Sequence, residues 1–158
     1  MGIPNNLAVP KGEYLILSAL VFEWADSYDR KDWNSLEVIL APTMEVDYSD
    51  INGKKFDAMS AADFISMVSS DGMLGSPLLR TQHLIGASKW KKSSDASVIA
   101  YHQLQSSQTR YENVGSKVIK DESTRRVTIR HTFRKINGTW KLEGIKPSLC
   151  WDRSVPET

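Results

Sequence analysis

Four residues of this chain have side chains suited to acid–base work on a small molecule: Tyr28, Asp29, Tyr48 and His83. An imidazole titrates near neutrality, so it can both take and return a proton. Two phenols aimed at one point can donate to a single carbonyl oxygen or water and polarise a ketone. A neighbouring carboxylate can orient such a group. Each residue also has a plainer reading. The tyrosines suit core aromatics with hydroxyls at the rim, Asp29 a solvated helix end or an ion-pair partner, and His83 a core histidine with one hydrogen bond. Spacing alone leaves these alternatives open. His102 and His131 fall on strand faces without metal-type neighbours, and neither His-x-His nor Glu-x-x-His occurs, so no metal is expected. A serine nucleophile elbow, a phosphate-binding loop and a dinucleotide fingerprint are absent. Glu143 shares a strand face with Arg130 and Arg134, which suits a surface ion pair.

The elements that must position these groups are legible from periodicity. Tyr14, Leu17, Val21, Trp24 and Tyr28 recur three or four apart and predict a helix from about Pro10 to Tyr28. Asp32 caps a short second helix with Trp33, Leu36 and Ile39 or Leu40 inward, and Pro42 ends it. Met44, Val46 and Tyr48 alternate along a strand from Thr43 to Ser49, and Asn52-Gly53 signals a tight turn. Ser60 and Asp63 cap a third helix that turns Phe64, Met67 and Val68 inward. The loop from Ser69 to Leu79, with Gly72, Gly75 and Pro77, suits a flap over a site, and Met67 and Met73 are expected at the substrate. Long strands follow. Arg80–Lys91 places Thr81, His83, Ile85 and Ala87 on one face. Ala96–Tyr111 does so for Val98, Ala100, His102 and Leu104, and Glu122–Ile136 for Val127, Ile129, His131 and Phe133. A hairpin at Asn137-Gly138 leads to Thr139–Cys150, where Pro147 is expected to end regular pairing.

Helices first and a strand meander afterwards predict an α+β fold: a curved antiparallel sheet folded around helices, a cone with a pocket at its open end. The expected layout is a flexible tail over 1–10, one domain over 11–152 and a C-terminal tail over 153–158. The 158 residues carry a net charge of +1, and 41% are hydrophobic, ordinary for a soluble domain with a core of its own. Near-neutral charge without a basic stripe argues against nucleic acid, and no apolar run reaches membrane length. The single cysteine, Cys150, excludes an internal disulfide. A soluble, cytoplasmic protein is expected.

The string Glu23-Trp-Ala-Asp-Ser-Tyr-Asp29, Lys31-Asp-Trp33, Ala41-Pro-Thr43, Asp47-Tyr48, Met67-Val-Ser-Ser70 and Leu79-Arg-Thr-Gln-His83 resembles scytalone dehydratase, a fungal melanin-pathway family. Tyr101-His-Gln-Leu104, Gln108-x-Arg110-Tyr111, Trp140-Lys141 and Lys146-Pro147 extend the resemblance over about Tyr14–Trp151. It implies an NTF2-like cone, a homotrimer, no metal or organic cofactor, and loss of water from a reduced polyketide ring. Carried over, the family's pocket tyrosines fall on Tyr28 and Tyr48, its aspartate on Asp29 and one histidine on His83. Its second histidine is replaced by Gln108, and its serine and asparagine by Val127 and Ile129. Pro147 is expected in the same wall. An apolar wall does not reward a ring hydroxyl, so the implied substrate is a larger or less hydroxylated polyketide or terpenoid intermediate rather than scytalone. Asp29, without the second imidazole, is expected to accept from the Gln108 amide or to sit protonated.

The leading expectation is a dehydratase-like enzyme in which the phenols hold a carbonyl and His83 moves the proton. The same pocket also suits an isomerase or cyclase, even a pericyclase, acting mainly by positioning. A non-enzymatic small-molecule binder is the third reading.

Overall fold

The computed structural model describes residues 8–155, with side chains through Arg153; of the expected tails, 1–7 and 156–158 lie outside the described residues. Helix α1 (Lys11–Arg30) begins at Pro10, whose carbonyl accepts from the Tyr14 N–H at 2.8 Å. Leu17, Val21, Trp24 and Tyr28 are buried, whereas Tyr14, expected on the same stripe, is 42% exposed and lies edge-on to Trp90. The helix runs two residues past Tyr28 and stops where Lys31 turns left-handed at φ 58°. Tyr28 and Asp29 therefore both lie in the last turn. Successive helical residues point about 100° apart, so the two side chains address different partners.

Asp32 caps α2 (Trp33–Ile39) by accepting from the Ser35 N–H at 3.0 Å. The chain is extended from Leu40 onward, earlier than expected, because β1 (Leu40–Tyr48) already pairs at Leu40 with Leu142. Pro42 ends no helix; it lies in the irregular stretch between the Leu40 and Glu45 pairings, where a missing N–H is tolerated. The Asn52-Gly53 signal marks the close of a helical turn, α3 (Ser49–Asn52), with Gly53 at φ 76°. Strand β2 (Lys54–Ser60) follows, a strand that sequence reading misses because it is mostly exposed and lacks apolar alternation. Helix α4 (Ala61–Val68) is capped by Ser60, as expected, and buries Phe64 and Val68.

The four long strands are β3 (Leu79–Ser94), β4 (Ser97–Tyr111), β5 (Ile119–Ile136) and β6 (Thr139–Val155). The sheet order is β2-β1-β6-β5-β4-β3. Pairing is antiparallel except for β1 with β6. Helix α1 touches both β3 and β6, which stand three strands apart, so the unclosed sheet is curled around it as a cone. Two expectations about the strands are corrected. Ala87 is exposed, because the alternation slips at an irregularity between Ile85 and Ser88. Pairing does not end at Pro147: the proline sits opposite Ile129 and β6 continues to Val155, taking up residues 153–155 of the expected tail.

Buried Val98, Ala100 and Leu104 on β4 and Val127, Ile129 and Phe133 on β5 face the helices. His102 and His131 lie among them, fully buried with ring centroids 5.2 Å apart. His102 Nδ1 has the Ser88 hydroxyl at 2.7 Å, while both ring nitrogens of His131 lack a protein partner among the described residues. They belong to the core. Burial lowers the pKa of His102 to about 4 and holds that of His131 well below its ordinary value, so both rings are neutral at physiological pH.

Candidate active site

Tyr28, from the last turn of α1, and Tyr48, from the end of β1, meet with their hydroxyl oxygens 3.2 Å apart. The end of β1 is fixed by buried Asp47, which accepts from Lys146 Nζ at 2.8 Å and from the Ser49 N–H at 3.2 Å. These bonds, that to Lys146 foremost, hold the Asp47 carboxyl well below the usual range. Burial pushes the Tyr28 phenol up to about 12, lessened by its bond to Tyr48. Burial, with Tyr28 beside it, pushes Tyr48 well above its ordinary value. Both phenols are therefore protonated donors near neutrality. Two oxygens this close share points within hydrogen-bond reach of each, so one carbonyl oxygen can accept from both.

Asp29 turns toward β3. Its Oδ2 accepts from the His83 backbone N–H at 2.8 Å, and its Oδ1 lies 2.6 Å from His83 Nδ1 and accepts from Thr81 Oγ1 at 2.9 Å. Burial works to raise its pKa, but His83 and Thr81 more than offset it, so the carboxyl sits below its ordinary value. This corrects the expectation of a protonated Asp29 or one bonded to Gln108. Its imidazole is that of His83, and the Gln108 amide instead donates to Ser123 Oγ at 2.8 Å. An ionised carboxylate only accepts, so His83 carries its proton on Nδ1 and presents the Nε2 lone pair. Ser106 Oγ lies 3.3 Å from that Nε2. Trp24 and Tyr28 stand edge-on to the imidazole, each with ring centroids 5.6 Å away, and fix its plane.

One cavity of about 120 Å³ collects these groups. Of the expected residues, Tyr28, Tyr48, His83, Gln108, Val127, Ile129, Met73 and Pro147 line it. Asp29 stands behind His83, outside the lining. Met67 is not in the wall; it packs against the hydrophobic core, half-buried, because α4 points its inward face at β1 and α2. Met73 and Leu74 enter from the loop 69–78, which is tied down rather than merely draped. Leu74 and Gly75 N–H groups bond to Val68 and Ser70 carbonyls at 3.0 and 2.9 Å, and Lys31 Nζ bonds to the Leu74 carbonyl. A Cβ on Gly75 would fall 1.8 Å from the Ser69 oxygen, so no other residue fits this loop unchanged.

Sequence reading missed Trp24, Ile51, Leu74, Leu104, Ser106 and Arg125 as lining residues. A signal existed for three of them: Trp24 lies one helical turn before Tyr28, Ser106 two residues before Gln108, and Arg125 two before Val127. At about 120 Å³ the cavity lies well below the range of pockets for drug-sized ligands. Among the described residues, no three His, Cys, Asp or Glu side chains cluster as metal ligands would. No described helix is long and apolar enough to cross a membrane.

The family profile for scytalone dehydratase matches residues 9–155. Scytalone dehydratase arp1 of Aspergillus fumigatus is 42% identical over 147 residues, 93% of this chain and 88% of that protein. Scytalone dehydratase of Pyricularia oryzae is 44% identical over 139 residues, 88% of this chain and 81% of that protein. Among solved structures, the Kfla4162 protein from Kribbella flavida superposes with a TM-score of 0.77 at 12% identity, covering 90% of this chain and 94% of that one. At such identity the likeness is one of fold.

Proposed function

Because the chain belongs to the scytalone dehydratase family, we propose that it is a hydro-lyase of fungal secondary metabolism that removes water from a compact cyclic hydroxyketone, using its own side chains and no cofactor. The observation that carries this reading is the His83 imidazole. Its proton is held on Nδ1 by Asp29 at 2.6 Å, and its Nε2, with Ser106 Oγ 3.3 Å away, lies in the same cavity as two protonated phenols.

The substrate carbonyl accepts from Tyr28 and Tyr48. His83 Nε2 takes the proton from the carbon next to it, and the C–H electron pair moves into an enolate whose oxygen the phenols stabilise. The enolate collapses, a carbon–carbon double bond forms, and the neighbouring C–O bond breaks. The departing hydroxyl takes the proton back from the imidazolium and leaves as water. Asp29 steadies the ring while it is charged. Val127 and Ile129 offer no partner to a ring hydroxyl, so the substrate has fewer hydroxyls on that side than scytalone.

Replacing His83 with Asn tests this. Turnover of a hydroxyketone substrate falls by a factor of roughly 10²–10⁴ with binding retained; full turnover in His83→Asn sinks acid–base elimination. The apolar wall of Leu104, Val127 and Ile129 favours one other reading, a cyclase or isomerase working by positioning. In that case Val127→Phe, which fills the cavity, costs more than His83→Asn. The expected homotrimer is consistent with Leu84, Tyr101, Leu149 and Trp151, all more than a third exposed on the long strands, and light scattering on the purified protein reads the assembly directly.

A further inference from the structure

Four adjacent strands place four polar residues in one cross-sheet row. His83 pairs with Ser106, Ser106 with Arg125, and Arg125 with Asp152. Neighbouring strands lie about 4.8 Å apart, so the Arg125 backbone stands roughly 10 Å from that of His83, with Ser106 between them. His83 and Arg125 are each held by a carboxylate. Asp29 grips His83 Nδ1 at 2.6 Å, and Asp152 Oδ2 accepts from Arg125 Nε at 3.1 Å.

Arg125 lines the same cavity as His83 and the two phenols, and it is the one Lys or Arg side chain among the described residues that does so. Its side chain is 39% exposed and that of Asp152 35%, which places the pair at the mouth. An Arg–Asp pair so exposed adds little to stability. Its geometry matters more. Asp152 engages only Nε, and the Nη1–Nη2 edge of the guanidinium has no hydrogen-bond partner among the described residues. That edge is a planar fork of donors that fits the two oxygens of a carboxylate and matches few other groups so well. Because Asp152 fixes the guanidinium from its side, the fork is already oriented before a ligand arrives, and less side-chain freedom is lost on binding.

We infer that Arg125 sets the specificity of this cavity by receiving a carboxylate carried on the substrate ring, while the carbonyl at the other end meets Tyr28 and Tyr48. The inference rests on the reading of the cavity as a dehydratase site and narrows its substrate to a compact ring acid. With the carboxylate seated at the mouth and the carbonyl at the phenols, the ring spans the row past Ser106 and brings its acidic C–H toward His83 Nε2. A substrate of this class comes from a reaction that leaves a carboxyl group on the ring, such as a cyclisation that retains the terminal carboxylate of a chain.

The test is calorimetric titration of the full-length protein with a hydroxynaphthoate and with its methyl ester, which differ in the charge at one end. The wild type binds the acid more tightly by roughly tenfold or more. Arg125→Gln brings the acid down to the affinity of the ester and leaves the ester unchanged. Arg125→Lys keeps part of the preference, because a point charge remains without the fork. His83→Asn keeps all of it, which separates this inference from the reaction itself. Turnover surviving in His83→Asn with the acid preference intact overturns the dehydratase reading alone. Equal affinity for acid and ester in the wild type, no binding of the acid at all, or an undiminished preference in Arg125→Gln overturns the role of Arg125.

Discussion

Replacing Asp29 with Asn changes one atom and should disable His83 without removing it. The wild-type carboxylate accepts three hydrogen bonds, from His83 N–H at 2.8 Å, His83 Nδ1 at 2.6 Å and Thr81 Oγ1 at 2.9 Å. An amide has one accepting oxygen and one donating nitrogen, so it cannot serve both edges. With its oxygen toward Nδ1, its NH₂ opposes the His83 backbone N–H, donor against donor. With its oxygen toward the backbone, its NH₂ faces Nδ1 and forces the proton onto Nε2, where the base must have a lone pair. The second arrangement leaves no donor opposed, so the ring is expected to switch tautomer. An Asp-to-Asn change behind a catalytic histidine costs about 10⁴ in kcat where the tautomer is reversed. His83 here is only 9% exposed on its side chain, and a loss of roughly 10²–10⁴ is expected. Loss of charge-assisted bonds should also lower stability by about 2–3 kcal/mol. Nitrogen-15 NMR of the histidine rings reads the tautomer with no substrate present, and denaturant unfolding reads the stability. An Asp29→Asn protein with the proton still on Nδ1, or with turnover within threefold of wild type, refutes the reasoning.

The phenol pair and the buried histidines give two further expectations. Tyr28→Phe and Tyr48→Phe should each lower turnover, and the double variant should cost less than the product of the two, because the hydroxyls share one bond at 3.2 Å; kinetics on the three variants checks this, and strict multiplicativity argues against a shared oxyanion site. Stability should fall in acid in two stages. His102 is lowered by burial from 6.5 to about 4, so the unfolded chain takes up a proton that the folded chain refuses. The stability His102 contributes is complete above about pH 6.5 and declines as pH falls toward 4, by about 3 kcal/mol at 1.36 kcal/mol per pH unit. His131, held down by burial and by His102, adds to the same limb. Asp29 and Asp47, whose folded pKa values are depressed, add a second decline below their ordinary value of 3.8. Urea unfolding from pH 8 to 2 follows the first stage and the onset of the second; a flat profile between pH 6.5 and 4 contradicts the first, and His131→Phe should shallow it.

Local patterning carried most of the fold. A run of apolar residues three or four apart can bury one face only as a helix, and alternation with a period of two can do so only as a strand, so α1, α2, α4, β1 and the four long strands were legible. The resemblance placed Tyr28, Asp29, Tyr48 and His83 together as candidates. Strand β2 was not legible, because an exposed edge strand needs no apolar face. Met67 was misplaced because an inward helical residue can meet either the core or a cavity, and the sequence does not distinguish them.

What the sequence by itself determined, then, is which side chains share a face: His83 with Thr81, Leu104 with His102, Val127 with Ile129. Which residues on different segments touch was decided only by tertiary structure. The grip of Asp29 on His83, the approach of Ser106 to its other ring nitrogen and the row that ends in Arg125 and Asp152 all depend on strand register and on the seating of α1 against β3. The reason is physical. Periodicity is a property of one segment against a generic apolar interior, whereas register is set by the joint packing of all six strands and the helix they enclose. No single stretch of chain contains that information.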